Sequence, residues 1–420
     1  MTIDDVTLEF IREHREEDVR QLALRQAGVA DVNMPVALQQ IAGWQTARRK
    51  LPAWAAVEGI IYPPHINMEQ CSSEQTALYK AKIAGKGRLF VDLTGGFGVD
   101  FHAISSGFER SVYVERNEQL CAISSRNFQL LGSNATVVCD QAETYLQQME
   151  HADLIYLDPA RRDEHGARTY SIEDCTPNVL ELLPMLLAKA DRIMLKLSPM
   201  LDWHKAVSQL RGVSEVHVVS VQNECKELLL MVSGEEEAEA PQHTEPKETK
   251  EEGVRLVCVN LLADGSEQVF SPINHQLARP KGAYYQRDAR TPNTHHPSPT
   301  QEYLYEPNSS IMKAGCFDEI AVFYHITELS ANSHLFVSDH EVVGFLGRKF
   351  RIESVSSLNK RELRNTLANV ERANITVRNF PMSAETLRKR LRIKDGGDVY
   401  IFATTTADGE HQLFICRKIA

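Results

Sequence analysis

A strand that runs straight into a cluster of glycines constrains this chain more than any other feature: Phe90-Val91-Asp92-Leu93-Thr94-Gly95-Gly96-Phe97-Gly98-Val99-Asp100. Residues 89–93 read as a buried strand, the glycines as a turn, and a helix is expected from about Asp100. Glycines let the backbone approach a ligand closely, and the helix N-terminus beyond offers unpaired N–H groups. A dinucleotide fingerprint needs G-x-G-x-x-G. Gly96 and Gly98 satisfy its first half, but Phe101 stands where the third glycine belongs. Asp92, at the end of the strand, suits a ligand with an amino group better than a pyrophosphate.

The pattern repeats. Ser111-Val112-Tyr113-Val114-Glu115 reads as a second strand ending in an acid, 23 residues after Asp92. A carboxylate at that point can accept both ribose hydroxyls of a nucleoside. Residues 136–140 read as a third strand ending at Asp140, and 153–158 as a fourth running into Asp158-Pro159-Ala160-Arg161-Arg162. A fifth, 192–197, ends at Ser198-Pro199. Strands separated by helix-length segments predict a parallel α/β sheet with its ligand at the carboxyl ends of the strands. A strand-end acid can also merely cap the next helix. Four in succession favour a binding role.

At 420 residues the chain is long enough for two or three domains. It has neither a membrane-length apolar run nor a signal-like start, so a cytoplasmic protein with no membrane partner is expected. Eight scattered cysteines form no CxxC pair, and His295-His296 lies in a Pro- and Thr-rich loop text. No metal is expected from either. The net charge of −11 is uneven, because residues 343–420 hold fifteen Lys/Arg against eight Asp/Glu. A basic tail on an acidic protein points to a polyanionic partner such as RNA, or to a solvated basic face.

Residues 1–85 read as a helical domain. A helix starts at Pro35 and is stopped by Pro52, and another is capped at Ser72 or Ser73. The ligand-binding domain is expected over 86–275. Residues 215–221 and 227–232 form a closing strand pair, and a Glu-rich mobile loop spans 233–252. A β pattern resumes over 254–261. Residues 273–307 are loop-like, within a connecting region of 276–342. The last segment, 343–420, reads as a small α+β domain with helices over 360–373 and 384–390.

Several phrases in one order carry a resemblance. They are Lys50-Leu51-Pro52, Gln70-Cys71-Ser72-Ser73-Glu74, the glycine turn, Asp158-Pro159-Ala160-Arg161 and Leu197-Ser198-Pro199. Further along come Lys226-Glu227-Leu228, Tyr305-Glu306-Pro307, Ser333-His334-Leu335-Phe336 and Leu387-Arg388-Lys389-Arg390-Leu391. In this arrangement the chain resembles the bacterial S-adenosylmethionine (SAM)-dependent class I methyltransferases that end in a THUMP-like domain. The resemblance spans almost the whole length, the acidic loop excepted. It implies a helical N-terminal domain, a Rossmann-like SAM-binding sheet and a small C-terminal α+β THUMP-like domain of RNA-binding type.

Carried over position by position, the resemblance places Thr94, Gly95, Gly96 and Gly98 in the cofactor loop, the glycines against the methionine part of SAM. Asp92 meets its ammonium, Glu115 the ribose and Asp140 the adenine amine. Asp158, Pro159 and Arg161 are the expected catalytic positions. Related enzymes carry D/N-P-P-x there to orient an exocyclic amine. Ala160 replaces the second proline and Arg161 the aromatic that stacks on a base, which weakens the case for adenine N6.

The Asp-Pro-x-Arg pattern is also similar to the RNA uracil-5-methyltransferases, which need a cysteine after strand five; Ser198-Pro199 stands there. Cys175 lies where cytosine-5 enzymes keep their nucleophile, yet lacks the preceding proline, and a structural role stays open beside it. Arg161 and Arg162 could take a substrate phosphate or pair with Asp163 or Glu164. The resulting expectation is a SAM-dependent methyltransferase acting on a nitrogen or oxygen of structured RNA, tRNA or rRNA. Two other readings remain: a methyltransferase for a protein or small molecule, and a SAM- or RNA-binding protein without transferase activity. Oligomeric state is not legible.

Overall fold

The computed structural model describes residues 3–24, 31–161, 172–234, 253–272, 301–330 and 332–419; of Arg161 only the backbone is described. These residues fall into two compact units, the first reaching Arg255 apart from Gln222–Cys225, the second carrying Leu256–Leu262 and Ser266 onward. No helix among the described residues is long and apolar enough to cross a membrane.

The first unit begins with helices α1 (Asp5–His14), α2 (Val19–Leu24), α3 (Met34–Lys50), α4 (Pro52–Ala55), α5 (His65–Gln70) and α6 (Glu74–Ala84). Local chemistry sets their ends. Asn33 caps α3, with Pro35 in its first turn, and Ser73 caps α6 by accepting the Thr76 N–H. Pro52, expected only to stop a helix, also starts α4, because a first-turn residue needs no N–H donor. The two sequence phrases of this region hold each other. Lys50 Nζ donates to the carbonyls of Met68 and Glu69 at 2.9 and 2.7 Å, and Glu74 accepts the Ala53 N–H at 2.8 Å.

Strands β1 (Gly87–Asp92), β2 (Phe108–Glu115), β3 (Ala135–Cys139) and β4 (Ala152–Leu157) follow, then the short ribbon β5 (Ala160–Arg161) with β6 (Cys175–Thr176). Strands β7 (Ala190–Leu197), β8 (Val213–Val221) and β9 (Glu224–Ser233) complete the sheet of this unit. Its order is β8-β9-β7-β4-β1-β2-β3. β3, β2, β1, β4 and β7 run parallel, and β9 is antiparallel to β7. The chain is therefore a Rossmann-like α/β fold closed by an antiparallel pair. The parallel strands end at one edge, so Asp92, Glu115, Asp140 and Asp158 emerge at the same side. Trp54, Phe97, Phe101, Tyr113 and Phe128 pack together behind the glycine turn.

The second unit contains the antiparallel hairpin β10 (Arg255–Leu261) and β11 (Glu267–Phe270). It also contains a sheet of β12 (Tyr303–Pro307), β13 (Thr327–Glu328), β14 (Phe336–Ser338), β15 (Gly347–Ser357), β16 (Asn374–Arg378), β17 (Val399–Thr405) and β18 (His411–Ile419), in the order β13-β14-β12-β15-β18-β17-β16. Two local expectations are corrected here. Residues 303–307, read as loop within a connecting region, form β12 at the heart of this sheet, between β14 and β15. Their proline comes last in the strand, opposite Gly347 of β15. The helix expected over 360–373 ends at Thr366, yet Leu363, Leu367 and Val370 still pack against one core with Leu387, Ile401 and Leu413.

Candidate functional site

A cavity of about 910 Å³ lies at the carboxyl ends of the parallel strands. Its wall includes Asp92, Thr94, Gly95, Gly96, Gly98, Asp100, Glu115, Asp158, Pro159 and Lys196. Asp140 is not on this wall, although the next residues, Gln141 to Glu143, are. The Asp140 carboxylate accepts the N–H of Gln141 at 2.8 Å instead. Arg161's side chain and Arg162 lie outside the described residues, as do the acidic loop 235–252 and His295-His296.

The glycine turn is built by packing from behind. Gly95 lies against the Tyr113 ring, where an added Cβ would come within 2.2 Å of it. Gly98 has φ +86° and would clash with Phe128 at 2.5 Å. Gly96 also has positive φ, +55°, but nothing closer than 3.8 Å stands where its Cβ would be. Its N–H donates to Glu115 Oε2 at 2.9 Å, and the Asn117 N–H donates to Oε1 at 2.8 Å. Each carboxylate oxygen of Glu115 thus has lone pairs left for further donors.

Asp92 is buried, 1 % exposed. One of its oxygens accepts the Thr94 N–H at 2.9 Å, and among the described residues it forms no ion pair. Burial pushes its carboxyl well up, and the nearby Asp100, Asp158 and Glu115 add to the effect. Thr94 links the tips of β1 and β4, its hydroxyl accepting the Asp158 N–H at 2.6 Å.

Below the cavity lies a charge network that sequence reasoning missed. Lys80, fully buried, donates to both oxygens of Glu227 at 2.7 and 2.8 Å and to Ser72 at 3.0 Å, and lies 3.1 Å from Asp100 Oδ1. Asp100 Oδ2 accepts from Ser72 at 2.7 Å and Tyr156 at 2.8 Å. Burial raises the Asp100 carboxyl; the Lys80 and Lys196 ammonium groups and the two hydroxyls more than reverse this, holding it below its ordinary value. Lys196 Nζ donates to Asp158 Oδ2 at 2.5 Å. The signals were present in the sequence: Lys196 interrupts the apolar run Ile193-Met194-Leu195, and Glu227 opens the run Leu228-Leu229-Leu230. Charges inside buried strands need partners.

Cys175, Thr176 and Pro177 also line the cavity. The N-terminal helical segment also contributes to the wall, through Asn67, Gln70, Cys71 and Ser72. Burial pushes the Cys71 thiol up, so it is not a ready thiolate. Among the described residues no group of three or more His, Cys, Asp or Glu is placed to hold a metal ion.

Three family profiles match: a conserved hypothetical protein family over residues 75–182, a ferredoxin-like domain over 303–345, and a THUMP domain-like family over 347–418. No curated protein matches the chain. Among solved structures, a protein of Porphyromonas gingivalis W83, provisionally named a methyltransferase, is 30% identical over 100% of both chains with a TM-score of 0.81. An rRNA methylase of Streptococcus thermophilus is 15% identical, covering 38% of this chain and 93% of its own, with a TM-score of 0.29. A provisionally named methyltransferase of Streptococcus mutans, solved with S-adenosylhomocysteine, is also 15% identical, covering 38% and 96%, with a TM-score of 0.29. The match over the full length, together with the THUMP-like tail, decides the assignment: this chain belongs to the bacterial family of class I methyltransferases that end in a THUMP-like domain.

Proposed function

We propose that this methyltransferase takes its methyl group from SAM and delivers it to a nitrogen or oxygen of a structured RNA, tRNA or rRNA. The observation that carries the reading is the cavity wall itself, where carboxylates at adjacent strand tips surround a glycine turn. The residues fit the cofactor. Asp92 is a buried acid that forms no ion pair among the described residues, and the ammonium of SAM's methionine part supplies its cation. Glu115, held by two backbone N–H groups, has acceptor capacity for the ribose hydroxyls. Thr94, Gly95, Gly96 and Gly98 flank the methionine part. The adenine falls to the β3 tip, with Asp140 and its neighbours.

SAM supplies an activated methyl group; the protein's contribution is alignment and charge. Asp158 and Pro159 stand at the acceptor side of the cavity, and Arg161 is proposed to act there with them. The RNA part of the reading is supported by exposed cations of the second unit. Lys360, Arg361, Arg364, Arg390, Arg392 and Lys394 form no ion pair among the described residues. Such groups neutralise phosphates and release counterions.

The test is transfer of labelled methyl from SAM to RNA of a strain lacking the gene, with Asp158→Ala as control. Absence of incorporation into RNA would defeat the substrate assignment, and absence of calorimetric binding of S-adenosylhomocysteine would defeat the cofactor assignment. For RNA binding, deleting 343–420 is a poor probe, because it removes β15 from beside β12. Charge reversal at Arg361, Arg364 and Arg390 is expected to abolish salt-sensitive RNA retention while the fold remains.

A further inference from the structure

The charges around Asp158 bear on which atom receives the methyl group. Lys196 Nζ lies 2.5 Å from Asp158 Oδ2 and 3.9 Å from Asp100 Oδ2. The Lys196 side chain is 12 % exposed and that of Asp158 38 %, so the carboxylate is the outer member of the pair. An amine attacking a sulfonium acquires the positive charge that sulfur gives up, and a desolvated ammonium beside it opposes the transfer. A hydroxyl must instead lose its proton, and its oxygen becomes more negative on the way. An ammonium beside that oxygen assists, and a carboxylate can take the proton.

The lining gives a second, independent observation. A nucleobase delivered for chemistry is held by stacking between aromatic or apolar faces as well as by hydrogen bonds to its edge. Phe97 and Tyr156 are the aromatic residues of the described wall, and at 3 % and 1 % exposure neither ring offers a face. The other described wall residues, Pro159, Ala160, Thr176, Ser198 and Pro199 among them, are not aromatic, and residues 162–171 lie outside the described residues.

We infer, building on the RNA reading above, that the acceptor is a ribose hydroxyl, the 2′-hydroxyl free on internal nucleotides, and that Asp158 and Lys196 act on it together. An O–CH₃ bond forms as the S–CH₃ bond breaks, and the bonding pair stays on sulfur. The hydroxyl proton passes to the Asp158 carboxylate and then to water. Lys196 fixes Asp158 through one oxygen and has two further N–H donors for the oxygen that is losing its proton. Burial works against the Lys196 ammonium, but Asp158, Asp100 and Glu227 outweigh it and hold the group well above the usual lysine range. Lys196 is therefore a donor here and not a base.

The full-length protein is incubated with methyl-tritiated SAM and total RNA from a strain lacking the gene, and the RNA is hydrolysed in alkali. A methylated 2′-oxygen blocks cleavage of the adjoining phosphodiester, so label in alkali-stable dinucleotides is the expected result. Label confined to mononucleotides overturns the inference and leaves the RNA reading standing. No label in any RNA, from protein that binds S-adenosylhomocysteine, overturns the RNA reading and the inference with it. Lys196→Met is expected to lower kcat about a hundredfold with KM little changed, and Lys196→Arg to regain part of the loss. A readout without turnover is ¹⁵N NMR of lysine side chains in the donor-free protein. The Lys196 ammonium should persist where surface lysines have titrated, and lose that resistance in Asp158→Asn. Ordinary titration in both proteins overturns the assigned role.

Discussion

Lys80 Nζ sits 2.7 and 2.8 Å from the two carboxylate oxygens of Glu227, joining a helix that precedes the sheet to an antiparallel strand at its far side. Neither side chain is more than 4 % exposed. Asp100 shares the same ammonium from the first turn of the helix after the glycines. Buried acids that share one ammonium stand as a set with it, because removing the ammonium strands them.

Lys80→Met should therefore destabilise the first unit by about 3–5 kcal/mol, and adding Glu227→Met should return part of the loss. Trp44, Trp54 and Trp203 all lie in this unit, so tryptophan fluorescence during urea unfolding reports on it alone. A shift worth under about 1 kcal/mol in Lys80→Met would show that the network is not the support described.

The three glycines of the turn should respond differently to alanine. Gly95→Ala forces a Cβ into the Tyr113 ring and Gly98→Ala into Phe128, the latter also at positive φ. Each should cost about 1–3 kcal/mol by overpacking. Gly96→Ala meets open space at φ +55°, so about 1 kcal/mol of backbone strain is its main penalty. Equal losses at all three positions, measured by the same fluorescence transition, would contradict this order.

Asp92 makes stability depend on pH. Its carboxyl is raised by burial, so the folded chain binds that proton more readily than the unfolded one. The stability this lends is complete below about pH 4 and is lost as pH rises through the elevated value. Asp92→Asn should consequently stabilise the ligand-free protein more at pH 8 than at pH 5. The same change should weaken S-adenosylhomocysteine binding in calorimetry. A pH-independent difference in melting temperature would refute the assignment.

Glu306, 4 % exposed, accepts from Arg378 at 3.0 Å and also pairs with Arg348 on the neighbouring strand. Both arginines are partly solvated, which reduces the cost of losing the carboxylate charge. Glu306→Gln should weaken the second unit by about 1–3 kcal/mol. Amide exchange across residues 347–419 should quicken while the tryptophan signal stays unchanged. Unaltered exchange there would remove Glu306 from the account.

The strand tips and the glycine turn were legible because each is local: an apolar run, an acid, then a turn. The parallel order of the sheet followed from their repetition. Lys80, Asp100, Lys196 and Glu227 were not legible as a group, since their pairing depends on four segments meeting in space. Each gave only the weak signal of a charge in apolar text. Asp140 stands at the expected strand tip, where one of its oxygens accepts the next N–H, while its neighbours Gln141 to Glu143 line the cavity. Strand β12 hid in proline-rich text, and the Glu306 in it makes sense only beside Arg348 and Arg378.

Ser72 and Lys80 carry a consequence for anyone trimming the chain. The floor under the cavity is made partly by residues that precede the first strand, so a fragment beginning at the sheet would strip Glu227 and Asp100 of the Lys80 ammonium and leave Lys196 as the one remaining cation for both among the described residues. Any shortened form used for biochemistry must therefore keep the leading helices attached, however dispensable an all-helical preface looks beside a Rossmann-like core.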